Sequence, residues 1–156
     1  MTRKVRDLAK RLPVYRFADI PKERKLHQGR MERFAARTSS AMVMFAEIKP
    51  QPLGQQGHHR KPHDHPYDQM LIVVKGHMHM EIGGEEYDLK EGALVVIPAH
   101  VMHRGHAVGE TPASLIEIFS PVRNDYIHLV EYQEEDFGDK GVDWVKPEWD
   151  SWNKPD

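Results

Sequence analysis

The sequence predicts an all-β domain, an antiparallel sandwich or barrel, and three observations predict it. Short apolar stretches recur at residues 30–36, 41–48, 70–75, 77–82, 86–89, 93–97 and 114–119. Gly, Pro, Ser and Asn separate them, residues that supply turns. Within several stretches polar and apolar residues alternate, the period of a strand with one buried face. At 156 residues the chain fits one domain of ordinary size and has no room for a second full one.

In chain order, residues 1–30 read as a basic N-terminal arm. Val5, Leu8 and Leu12 fall at helical spacing among basic residues, which predicts a short amphipathic helix over residues 3–12 that Pro13 ends. Three apolar residues suit docking on a core better than holding a membrane surface. Residues 1–37 carry twelve Lys or Arg against four Asp or Glu, a net +8, so the rest of the chain carries −10 and the whole −2. No nucleic-acid motif accompanies the basic segment, so it is expected to pack on an acidic body, its own or that of a second copy. The strand-rich barrel is placed at residues 31–126. Gly83-Gly84, between two alternating runs, predicts a hairpin turn needing positive φ. Residues 127–156 read as an irregular acidic tail with Glu131, Glu134, Glu135, Asp136 and Asp139, followed by Trp144, Trp149 and Trp152. Indole rings bury large apolar areas, so this tail is expected on the barrel or on a partner copy.

Composition removes several classes of function. Apolar residues at 39% and charged residues at 29% describe a globular chain rather than a disordered one. The absence of cysteine excludes disulfides, zinc fingers, iron–sulfur clusters and thiol catalysis, and leaves metal ligation to His, Asp, Glu or Gln. The longest apolar runs, at residues 70–74 and 93–99, fall far short of the ~20 residues of a spanning helix. With a charged N-terminus that lacks an apolar signal segment, a cytoplasmic protein is expected, with no nucleic acid and no membrane among its partners.

The histidines carry the chemistry. Most of the eleven lie between His58 and His106. His63 and His65, two apart, project from one face of an extended segment and can converge on one ion, and Gln69 keeps the same parity. His103 is placed in sequence to bring a fourth ligand from another strand. Three imidazoles and one amide oxygen suit a single divalent transition metal (Zn, Ni, Mn or Fe) and leave positions for water or substrate. His58 and His59 read as loop residues. His77, His79 and Glu81 alternate with Met78, Met80 and Ile82 and read as an exposed polar face. His27, His100, His106 and His128 have no supporting spacing and receive no role.

Gly57, His63-x-His65, Gln69 and Gly76 match the first cupin motif at every spacing, with Gln where Glu is usual. Gly92, Pro98 and His103 match the second, although His100 and Ala107 replace a common Gly and Asn. The sequence thus resembles the single-domain cupins of the cupin_2 type over roughly residues 31–126. The resemblance implies a single jelly-roll barrel (a double-stranded β-helix) with a metal in its mouth, usually in a homodimer. The segment Glu117-Ile118-Phe119-Ser120-Pro121-Val122-Arg123 further resembles the strand that closes the barrel in the pectin-degradation cupins, which linearise unsaturated uronates on a metal held by three His and one Gln. That resemblance implies Glu117 as the proton-transfer group, with Glu where the family more often has Asp. It implies Arg123 as the partner of a substrate carboxylate and Phe119 as a pocket-shaping ring. Strand parity alone leaves Glu117 pointing either into the barrel or out to water.

Gln69 also bears on charge. An ion held by neutral ligands keeps its full +2, which makes it a stronger Lewis acid and a better anchor for an anionic small molecule than a Glu-ligated ion. The expected function is non-redox ring opening or isomerisation of a small carboxylate-bearing sugar such as an unsaturated uronate. A metal-dependent dioxygenase or other oxidoreductase, and a non-catalytic ligand-binding cupin, remain the alternatives.

Overall fold

A computed structural model describes residues 14–133. Among these residues nine strands form two antiparallel sheets that face each other across one core. In chain order they are β1 (Glu23–Lys25), β2 (Met31–Arg37), β3 (Met42–Ile48), β4 (Asp68–Lys75), β5 (His77–Ile82), β6 (Glu85–Lys90), β7 (Leu94–Ile97), β8 (His103–Ala107) and β9 (Ala113–Ser120). The larger sheet has the order β1-β2-β3-β9-β4-β7 and the smaller one β6-β5-β8. This is the all-β jelly-roll barrel expected from the sequence. The predicted N-terminal helix and the three tryptophans of the tail lie outside the described residues.

Alternation decides what faces inward. In β3, Met42, Met44 and Ala46 are buried while the residues between them are only partly covered; β9 does the same with Ala113, Leu115 and Phe119. From the smaller sheet Met78 and Met80 of β5 complete the interior, at 2% and 3% exposure. Side chains of this size are worth roughly 1.5–3 kcal/mol each when removed from water, so the facing rows dominate barrel stability. Gly105 on β8 admits Met80, because a Cβ there would sit 2.8 Å from the methionine Cγ.

The β5–β6 hairpin turns at Gly83 and Gly84, with φ of +60° and +86°, the double positive-φ geometry of a tight hairpin. Two strands were not legible in the sequence. β1 lies within the segment read as an arm and pairs Glu23 with Arg33 at the edge of the larger sheet. β8 has the sequence His-Arg-Gly-His-Ala, too polar to register as an apolar stretch, yet it pairs with β5 from Met78↔Ala107 to Ile82↔His103.

A 3-10 helix, Asn124–Gln133, follows β9 and lies against β2. It buries Leu129 and Val130, and the Tyr132 hydroxyl donates to the Ala35 carbonyl at 2.7 Å. The buried Gln133 side chain accepts from the Arg37 backbone N–H at 2.8 Å and donates to the Arg37 carbonyl at 3.2 Å. One carboxamide thus fills both positions that a neighbouring strand's peptide would occupy.

Candidate metal centre

His63, His65 and His103 meet inside the barrel, with one ligand nitrogen from each within 4.8 Å of the others. Backbone pairing sets this up. His63 and His103 face each other in a β-bridge, the N–H of each donating to the carbonyl of the other at 3.0 and 2.8 Å. His65 is held from behind, its ring stacked on Tyr67 with centroids 4.1 Å apart and met edge-on by Phe119 at 6.2 Å. Gln69 enters from β4, where it pairs with Phe119, so Glu117 two residues along β9 is its diagonal neighbour on the same face.

Proton accounting determines what these groups present. His65 Nδ1 lies 2.9 Å from the Tyr67 carbonyl oxygen and His103 Nδ1 2.8 Å from that of Val101. A carbonyl can only accept, so each Nδ1 carries the proton and each Nε2 is a bare lone pair. The Gln69 amide donates through Nε2 to Glu117 Oε1 at 2.7 Å, which turns its own oxygen toward His65 Nε2, 3.0 Å away. Two acceptors at that distance do not bond each other. Two ligands at right angles on one ion with bonds of about 2.0–2.2 Å stand about 3 Å apart, so the donor set fits a divalent metal.

The electrostatics favour neutral imidazoles. Burial first, and then the neighbouring cations and imidazoles, pushes His63 and His65 down to about 4. The same burial lowers His103. Glu117 faces into the barrel, lining a cavity of about 70 Å³ with His63, Gln69, His103 and Arg123. Desolvation raises its carboxyl above the usual range, against the lowering pull of Arg123, Arg33 and Arg60.

The other two predicted residues sit close by in different circumstances. Phe119 is fully buried behind His65 and Tyr67, and acts on the cavity only through the rings it supports. Arg123 lines the cavity, but its fork is taken: Nε and one terminal nitrogen donate to the two oxygens of Asp125 at 2.9 and 2.8 Å. Its guanidinium lies 3.7 Å from the centre of the Tyr126 ring and about equally far from Phe119 and Tyr67, at 4.9 and 5.0 Å. Asp125 thus takes the side-on fork of Arg123, and the remaining terminal N–H groups are the ones left to meet a substrate carboxylate.

Sequence reasoning missed the arginines, lysine and histidines at the entrance. Arg60 and His27 line both the inner cavity and an adjoining vestibule of about 420 Å³. Arg30, Lys49, His59 and His106 also line the vestibule, and among the described residues no carboxylate does. Arg33 enters from β2, where it occupies a buried position between Met31 and Ala35. Its Nε donates to Glu23 at 2.6 Å and its guanidinium covers Tyr126 at 4.0 Å. A basic residue at an inward position of an alternating strand was the available signal.

Comparison with known proteins agrees with this geometry. Residues 53–119 match the Cupin domain family. KdgF from Halomonas sp. superposes with a TM-score of 0.59 at 26% identity, covering 72% of this chain and 96% of that one. An RmlC-like cupin from Shewanella frigidimarina gives 0.58 at 25% identity, covering 72% and 93%. Polyketide synthase CurC of Streptomyces cyaneus is 31% identical over 61 residues, which are 38% of this chain. The chain spans 40% of the length of that curated relative. These matches support the cupin superfamily for a jelly roll whose histidine-rich interior can take a metal.

Proposed function

We propose that this barrel is a metal-dependent cupin enzyme that opens or isomerises the ring of a small anionic sugar, with unsaturated uronates as the substrate class. The observation that carries the reading is the Gln69–Glu117 pair: an uncharged ligand hydrogen-bonded to an inward-facing carboxyl with a raised pKa. Similarity to KdgF and to the closing strand of the pectin-degradation cupins supports the choice of substrate. So does the vestibule, whose described lining carries arginines and a lysine and no carboxylate.

His63, His65, Gln69 and His103 would hold one divalent ion (Zn, Ni, Mn or Fe), which would polarise the sugar oxygens without changing oxidation state. The protein's own task is to move one proton. Ring opening removes a proton from the anomeric hydroxyl and breaks the ring C–O bond to give an aldehyde; the enol left at the former double bond gains a proton on carbon to become a ketone. The product is an isomer, so neither oxidant nor water is consumed. Glu117, raised toward neutrality, suits both halves of that transfer. Arg60, with the donors of Arg123 that Asp125 leaves over, receives the substrate carboxylate. Phe119 fixes the His65 ring.

We also infer a cytoplasmic homodimer. The outward face of the larger sheet exposes Met70, Val74, Leu94 and Val96 at 43–58%, an apolar surface of the kind that marks an association site.

The deciding experiment loads metal-free protein separately with zinc, nickel, manganese or iron(II), adds a 4,5-unsaturated monouronate, and follows the vinyl proton by NMR. Ring opening faster than the spontaneous rate supports the reading. Saturable binding without turnover would favour a binding cupin, and oxygen consumption an oxidoreductase; either result overturns it.

A further inference from the structure

On the opposite face of the smaller sheet a second set of ligand atoms converges. His79 of β5 points away from the core between its strand partners, Asp88 on β6 and His106 on β8. Glu86 lies diagonally across on β6, and His58 descends on them from the loop before β4. His58 Nε2 is 3.0 Å and His79 Nε2 2.9 Å from the same oxygen, Glu86 Oε2, and one ligand atom from each of the three lies within 4.8 Å of the others. The far nitrogen of His58 has a partner of its own: His58 Nδ1 stands 3.1 Å from His106 Nδ1. Asp88 is held by His77 Nε2, and its Oδ1 lies 3.8 Å from His79 Nδ1, beyond hydrogen-bond reach.

We propose that His58, His79 and Glu86 form a second divalent-metal site, with His106 orienting the His58 imidazole from behind. Two imidazoles and a carboxylate are a donor set for zinc and its first-row neighbours, and the His106 contact at Nδ1 of His58 leaves its Nε2 to face the site. The ligands are graded in exposure, with the side chains of His58 at 13%, His79 at 35% and Glu86 at 49%, so water can complete the shell from the open side. The site joins three separate segments. An ion there staples the loop bearing His58, Arg60 and His63 to the smaller sheet, next to the vestibule that His106 also lines. Its role is to hold the entrance of the inner cavity in shape, and it does not depend on what the inner site catalyses.

Zinc chloride titrated calorimetrically into metal-free protein tests this, with thermal unfolding as a second readout. Wild type is expected to take two equivalents, and His103→Ala, which breaks the inner trio, one. Adding His79→Ala to His103→Ala removes that remaining equivalent and the zinc-induced rise in unfolding temperature. Glu86→Gln, at a half-exposed position outside the core, reduces wild type from two equivalents to one and covers the case in which a histidine variant fails to fold. A protein in which Glu86→Gln or His79→Ala leaves the stoichiometry unchanged overturns the proposal. So does a wild type with one equivalent that only His103→Ala removes. Protons on both Nε2 atoms could satisfy Glu86 without a metal, and that arrangement would produce the latter result. A wild type with one equivalent that Glu86→Gln removes and His103→Ala leaves in place would instead count against the inner ligand set.

Discussion

The two faces of the smaller sheet use the same residue type to opposite ends. β8 sends His103 inward and His106, three residues on, outward; β5 sends two methionines inward and His77 and His79 outward. Inside, backbone carbonyls fix the imidazole protons, burial keeps the rings neutral, and the lone pairs meet in a cavity. Outside, two imidazoles meet a side-chain carboxylate within reach of water, and a neighbouring imidazole does the orienting. A rigid inner set can be tuned for chemistry because the fold itself positions it. The outer set relies on long side chains, which suits bracing a loop.

Variants that separate the two faces follow, from the largest expected effect to the smallest. Glu117→Gln is expected to lower kcat on an unsaturated uronate by the ~10²–10⁴-fold typical of a lost general acid or base, with KM little changed, in steady-state assays. Because the folded protein raises the Glu117 pKa, its contribution to stability is fully present below the unfolded value and is lost as pH rises through the folded one. The amide is therefore expected to unfold at a higher temperature than wild type at neutral pH.

Arg123→Ala breaks a buried pair with Asp125 and removes a guanidinium packed among three rings. A stability loss of about 3–5 kcal/mol in urea unfolding is expected, far more than for a clamp reaching into solvent. Arg60→Ala, by contrast, is expected to raise KM roughly tenfold and leave stability nearly unchanged, matching the ~1.4 kcal/mol of one charge-assisted contact. Gln69→Glu should keep the inner metal while weakening inhibition by simple carboxylates; equal or tighter inhibition would remove the charge argument. Val96→Glu, at a position 54% exposed, leaves both metal sites untouched and is expected to give a monomer in light scattering.

Much of the frame was legible because it depends on short-range rules. Strand parity in β3, β5 and β9 and the glycine pair of the hairpin predicted the elements, while only the resemblance to the pectin-degradation cupins pointed Glu117 inward. The spacing of His63, His65, Gln69 and His103 predicted which side chains would converge. What could not be read came from contacts distant in sequence. β8 is a strand only because β5 lies beside it. The His58–Glu86 contact joins residues 28 apart through a loop. His106 lacked a role for the same reason, since its partners come from two other segments of the chain.

The carboxamide of Gln133 has a consequence for solubility. A β-strand with unsatisfied peptide groups is a template on which other chains can add, and the usual defences are charge, proline or a bulge. Here the Arg37 end of β2 is closed by one side chain that imitates a peptide and arrives on a helix unable to extend the sheet further. Shortening the chain to before Gln133 would reopen that end. The truncated protein would be expected to aggregate through growth of its larger sheet before its barrel had lost its fold.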